Sequence, residues 1–171
     1  MIFRLSQKLA TKIKVGKLAD VPLNPNEYAD WSANLFNVGR TQCIILSNTK
    51  SMYSCVMYAQ GITNDNRFIQ RSLGLIREFM EDDGKGDLYE RHIMPETGTV
   101  TFAKSLSRSV IGSMKELTFS AQLAIERDEA PYAVGKYLND LLLSAIAAEG
   151  DRGYGRPIEA FGHLSSGKTE C

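Results

Sequence analysis

Thr41-Gln-Cys-Ile-Ile-Leu-Ser-Asn48 decides the fold. Its centre, Cys43 to Leu46, is apolar at every position, so the segment reads as a strand buried on both faces. On its N-terminal side, Gly39-Arg40 forms a tight turn after Trp31–Val38 (WSANLFNV), a strand with mixed faces. On its C-terminal side, Asn48-Thr49-Lys50-Ser51 supplies turn chemistry before Met52–Ala59 (MYSCVMYA), rich in aromatic and β-branched residues. Residues 31–58 therefore read as an antiparallel meander with Thr41–Asn48 at its centre.

Further elements extend outward from this meander. Ile2–Leu5 is a short strand, and Ser6 can cap a helix from Gln7 to Lys14 with Leu9 and Ile13 on one face. Pro22, Pro25, Asn24 and Asn26 make Gly16–Asp30 a loop. Downstream, Phe68, Ile69, Leu73, Ile76, Phe79 and Met80 recur at helical spacing, with N-cap candidates at Thr63–Asp65 and a stop at Gly84. Thr99–Lys104 (TVTFAK) alternates as a strand. Ser113-Met-Lys-Glu116 fits a capping box, which starts the next helix at Ser113, with Ser109 as the runner-up cap. Pro131 opens a last long helix toward Ala148, weakened by Gly135. Pro157–Leu164 is a short amphipathic turn.

Strands in a run, with helices before and after, predict an α+β fold. The expected sheet is mainly antiparallel: the meander near 31–58 plus strands near 2–5 and 99–104, covered by helices. The chain has 171 residues, which suits one domain over residues 1–164 with a flexible tail at 165–171. With 43% apolar residues and zero formal net charge, a disordered chain is excluded. The balanced charge also argues against a protein devoted to coating nucleic acid, and no apolar run reaches the length of a membrane span. Cys43, Cys55 and Cys171 form no CxxC or CxxH cluster and read as reduced thiols of a cytoplasmic protein.

Few motifs carry chemistry. Gly162–Thr169 satisfies G-x-x-x-x-G-K-[ST], but only Glu170 and Cys171 follow, so no helix can form behind the loop and a nucleotide site is rejected. His92 and His163 have no converging metal partners, and no G-x-S-x-G elbow occurs. The acidic run Glu78, Glu81, Asp82, Asp83, Asp87 and Glu90 reads as a solvated helix end. Arg4, Lys8, Lys12, Lys14 and Lys17 read as an exposed basic face, with nucleic-acid contact as the lesser alternative.

The most informative stretch is Thr101–Lys115, which holds Lys104, Arg108 and Lys115, several serines and no acid. A strand, a basic serine-rich loop and a helix start make a candidate anion site from Lys104, Arg108, Ser109, Gly112 and Ser113. In the competing reading Ser113 only caps the helix and Arg108 pairs with Glu116 or with an acid of the 78–90 run.

Four segments also carry a resemblance: residues 1–14 (MIFRLSQKLATKIK), 30–35 (DWSANL), 40–46 (RTQCIIL) and above all 108–114 (RSVIGSM). Over residues 1–145 the chain resembles a bacterial family of uncharacterised domains of unknown function. That resemblance implies a bacterial, cytoplasmic, single-domain protein and transfers no activity, cofactor or catalytic residue. The sequence thus favours a non-enzymatic domain that binds a protein partner or self-associates as a homo-oligomer. The alternatives are a small-anion (phosphate or carboxylate) binding domain, possibly an enzyme, built on the 104–113 segment, and a nucleic-acid accessory protein. No catalytic residue, metal ligand, cofactor or membrane contact is assigned.

Overall fold

The computed structural model describes residues 1–146 and 153–167. Five strands form one sheet in the order β4-β3-β2-β1-β5. They are β1 (Ile2–Leu5), β2 (Asp30–Val38), β3 (Thr41–Asn48), β4 (Ser54–Tyr58) and β5 (Thr101–Ala103). The meander β2-β3-β4 is antiparallel, as its short turns demand. In the β2–β3 turn Gly39 takes φ +56° while Arg40 does not turn positive, the pattern of a type II′ hairpin. β1 runs parallel to both its neighbours, β2 and β5. The fold is therefore α+β with a mixed sheet, and the parallel half was not anticipated.

That parallel half needs long crossovers. The first passes through α1 (Gln7–Lys12), whose first turn is capped by the Ser6 hydroxyl, and then through the loop over residues 17–29. The second carries α2 (Asp65–Asp82), capped by Asn64, then α3 (Gly86–Leu88) and a π-helical turn at Tyr89–Ile93. After β5 come α4 (Arg108–Glu126), α5 (Pro131–Asn139) and α6 (Pro157–Phe161).

Strand alternation divides the apolar residues into two cores. On one face Phe3, Trp31, Ala33, Ile44, Leu46, Cys55 and Met57 pack under α1 and α2, through Leu9, Phe68, Ile76, Phe79 and Met80. On the other, Phe36, Cys43, Ile45 and Val56 meet Val110, Met114, Leu117 and Ala121 of α4 and Val134 and Leu138 of α5. The segment Cys43–Leu46 supplies both cores in alternation, and all four residues are fully buried.

Two boundaries differ from expectation. α4 begins at Arg108, with the Ser107 hydroxyl accepting from Val110 N–H, so neither Ser113 nor Ser109 is its cap. Val110 is a buried contact of that first turn and extends the apolar series of Met114, Leu117 and Ala121 backwards. α5 ends at Asn139 rather than near Ala148, because Asn139 turns inward onto β4. Its carboxamide accepts from Ser54 N–H at 2.6 Å and donates to Ser54 C=O at 3.0 Å, as a neighbouring strand would. The far edge is protected likewise, since Ala19 exchanges backbone bonds with Phe102 and Lys104 beside β5.

Near the C-terminus, Ser165 pairs with Glu27 through Glu27 N–H to Ser165 C=O and Ser165 N–H to the Glu27 carboxylate, both 2.9 Å. Both bonds fall on the first residue of the span 165–171 that the sequence reads as a flexible tail. Residues 168–171 of that tail, Cys171 included, lie outside the described residues, and so does the proposed stretch of helix at 147–148.

Candidate functional site

The second face of the sheet changes character along its width. Under α5 and the middle of α4 it is apolar. At the β1–β2 end it presents Arg4, Asp30, Ser32 and Asn34, the residues alternating with Phe3, Trp31, Ala33 and Leu35. The mixed faces of Trp31–Val38 are the sequence signature of this switch.

Arg4 and Asp30 fill the deepest part of the polar zone. Arg4 is 2% exposed and Asp30 is fully buried. Arg4 Nε and Nη2 both reach the Asp30 carboxylate at 2.8 Å. The remaining guanidinium protons go to the carbonyls of Val21, Pro22 and Lys104. Arg4 therefore leaves the basic N-terminal face to which its sequence position assigned it. All its donors are satisfied within the fold, so it is a structural group with none left for a ligand.

Beside this pair, where α4 stands off from the sheet, lies a cleft of about 520 Å³. Ser32 and Asn34 of β2 form its floor. One wall is the β1–α1 junction, Leu5 to Lys8. The other is α4, through Ile111, Met114, Lys115, Thr118, Phe119 and Gln122, with Ser105 at the approach. Ser32 shares its hydroxyl with Thr49 at 2.8 Å, and the Thr118 hydroxyl donates to Met114 C=O. Among the described residues the Asn34 carboxamide, Lys8 and Lys115 have no hydrogen-bond or ion-pair partner, and both lysines are exposed at the mouth. Among the described residues no carboxylate lines the cleft. Its chemistry is apolar walls, neutral polar groups on the floor and two cations at the rim.

The five residues picked from sequence do not converge there. Ser109 and Ser113 line a separate hollow of about 190 Å³, shared with Thr49, Lys50 and Met52. Lys104, Arg108 and Gly112 line neither space. Lys104 serves through its backbone, holding Ala19 and Arg4, and Arg108 projects into solvent from the first turn of α4. Arg108 makes no ion pair with Glu116 or the 78–90 acids among the described residues. Of the segment's cations, only Lys115 reaches the cleft. Lys8, Ser32 and Asn34 were missed as site residues because they come from elements far apart in sequence.

A second polar cluster lies across the molecule. Asp83, the residue capping α2, accepts from the Tyr53 hydroxyl and from Lys136 at 2.6 Å. The Lys136 ammonium also sits 4.8 Å from the Phe79 ring. Asp82 accepts from Tyr132. Partners thus neutralise much of the acidic run: Glu81 and Glu90 meet Arg77, and Asp87 meets Arg91. Burial pushes the Tyr53 phenol and the neighbouring Cys55 thiol well above their ordinary range, and Cys43 rises for the same reason. These groups stay protonated and unreactive at neutral pH, and the cluster lines none of the cavities described above. His92 stacks on Tyr28 with centroids 4.7 Å apart, and His163 is exposed. Among the described residues no group of three or more His, Cys, Asp or Glu could hold a metal ion, and no helix is long and apolar enough to cross a membrane.

One family model matches this chain, over residues 2–160, and it is described as Domain of unknown function (DUF6933). No curated protein matches.

Proposed function

We propose, from the premise that the chain belongs to the Domain of unknown function (DUF6933) family, that it is a binding domain for a small anionic molecule with an apolar body. The observation that carries this reading is the cleft between α4 and β2: among the described residues, two unpaired lysines at the mouth and no acid in the wall, with about 520 Å³ of space. That volume falls within the ~300–1,000 Å³ of ordinary ligand sites. Lys8 and Lys115 would hold a carboxylate or phosphate at the rim. Ile111, Met114 and Phe119 would cover the apolar part, and Asn34 would orient it from below by hydrogen bonds. In this reading ligand binding comes ahead of the partner-binding role that the sequence favours, with Lys115 rather than Arg108 as the anion contact.

The test is calorimetric titration with alkyl and aryl carboxylates and phosphate monoesters, each beside a neutral isostere. Anions with an apolar body should bind saturably, more weakly as salt rises. Lys8→Glu and Lys115→Glu should each weaken binding by about tenfold or more, while neutral isosteres bind poorly. Equal binding of anions and isosteres, or none by either, would overturn the proposal.

A further inference from the structure

The outer face of α4 carries a pattern that the cleft does not explain. At about 100° per residue, Arg108, Lys115, Phe119 and Glu126 fall within about 20° of one line along the helix. This line points directly away from Leu117, which is buried in the core beneath it. Ile111 and Leu123 flank it on opposite sides. All six side chains are exposed, Phe119 at 62%, Ile111 at 42% and Leu123 at 39%. The line is ordered by charge: basic in its first half, aromatic in the middle, acidic at its end. Neither Arg108 nor Lys115 has an ion-pair partner among the described residues, and Glu126 meets only Gln122, at 3.4 Å.

Gly112 lies on the same outer side. A Cβ there would meet nothing within 4 Å, so no contact among the described residues calls for glycine inside this helix. Glycine in a helix interior costs about 1 kcal/mol relative to alanine. A small residue facing outward lets a second backbone come close.

We infer that α4 is a self-association surface, on which the α4 of a second copy of this chain packs antiparallel about a two-fold axis level with Leu117. A two-fold interface must be complementary to itself. This one is, because Arg108 and Glu126 stand equally far from Leu117 on either side, as do Lys115 and Phe119. The antiparallel register sets Arg108 against Glu126 of the other copy, and Lys115 against the face of its Phe119 ring. Each contact occurs twice. A parallel arrangement would stack like charges and is disfavoured. The rim of the cleft includes Ile111, Lys115 and Phe119, so the second copy would also roof the ligand space.

Sedimentation equilibrium on the intact chain tests this. The mass should approach twice 19.0 kDa with rising concentration. Arg108→Glu and Glu126→Arg should each weaken the dimer by about tenfold, and the double reversal should restore it, because the swapped charges are again complementary. Far-ultraviolet circular dichroism spectra at room temperature should be unchanged in all three variants, since both side chains are exposed. Neither residue lines the cleft, and sedimentation needs no ligand, so the result stands whether or not the proposed ligand binds. A mass that stays at 19.0 kDa, any other stoichiometry, single reversals without effect, or a double reversal that fails to restore association would overturn it.

Discussion

Arg4 and Asp30 face each other in the parallel half of the sheet as a two-pronged ion pair, with both bonds at 2.8 Å. The pair organises more than itself. Through Arg4 it gathers the carbonyls of Val21, Pro22 and Lys104, and Asp30 also accepts from Asn24 N–H. The long loop after α1 makes few backbone bonds of its own, so this guanidinium meets needs that a strand or helix would otherwise meet.

Removing one partner should therefore cost heavily. Asp30→Asn or Asp30→Ala leaves a buried guanidinium without its counter-charge, and a loss of about 3–5 kcal/mol is expected from denaturant unfolding. An isolated buried pair can often be replaced by apolar residues at little cost. Here the Arg4→Met/Asp30→Leu double variant should remain destabilised by more than about 2 kcal/mol, because three carbonyls lose donors. A double variant as stable as the parent would show that the loop carbonyls do not depend on Arg4.

Gly135 sits inside α5, where helix propensity alone disfavours glycine. An added Cβ would lie 2.6 Å from Phe79 Cζ and 3.3 Å from Val56 N, both in fully packed surroundings. α5 approaches β4 and α2 this closely only because the side chain is missing. Gly135→Ala should thus destabilise by about 1–3 kcal/mol, against the usual gain for this exchange in a helix. A thermal melt reads the sign directly.

The strands could be read from sequence because each betrays itself locally. Ile2–Leu5 and Thr41–Asn48 coincide with the observed strands, since alternation and short turns need no distant information. Strand order and the parallel direction of β1 could not be read. They rest on pairings between distant segments, among them Arg4 with Asp30 twenty-six positions later, and a lone arginine near the N-terminus looks like a solvated charge. The cleft was hidden for the same reason: Lys8, Ser32 and Lys115 are unremarkable separately and meet only once β1 lies beside β2 and α4 crosses them.

The start of α4 failed for a different reason. Ser113-Met-Lys-Glu116 imitates a capping box inside a helix, while the true cap, Ser107, has Val110 rather than an acid at its third helical position. The two serines should respond differently to substitution. Ser107→Ala removes an acceptor from Val110 N–H and should cost about 1 kcal/mol. Ser113→Ala, at a buried interior position, should be neutral or slightly stabilising because alanine is the better helix former. Chemical denaturation of both variants decides; the reverse ranking would return the helix start to Ser113.

Tyr53 and Cys55 make stability sensitive to alkali. Burial raises both groups above their unfolded values of 10.0 and 9.0, and the Asp83 carboxylate beside Tyr53 adds to the rise. A raised acid keeps its proton in the folded state after the unfolded chain has released it. Its contribution is therefore complete below the unfolded value and is lost as pH climbs past it. Stability should hold to about pH 8 and then fall, first as the unfolded thiol ionises and again as the unfolded phenol does. The slope approaches about 1.4 kcal/mol per pH unit for each such group. Cys55→Ala should flatten the first part of the decline and Tyr53→Phe the second, whatever either substitution costs at neutral pH. Urea titrations from pH 7 to pH 11 measure both slopes, and a wild-type profile that stays level across that range would show that neither group is held protonated by the fold.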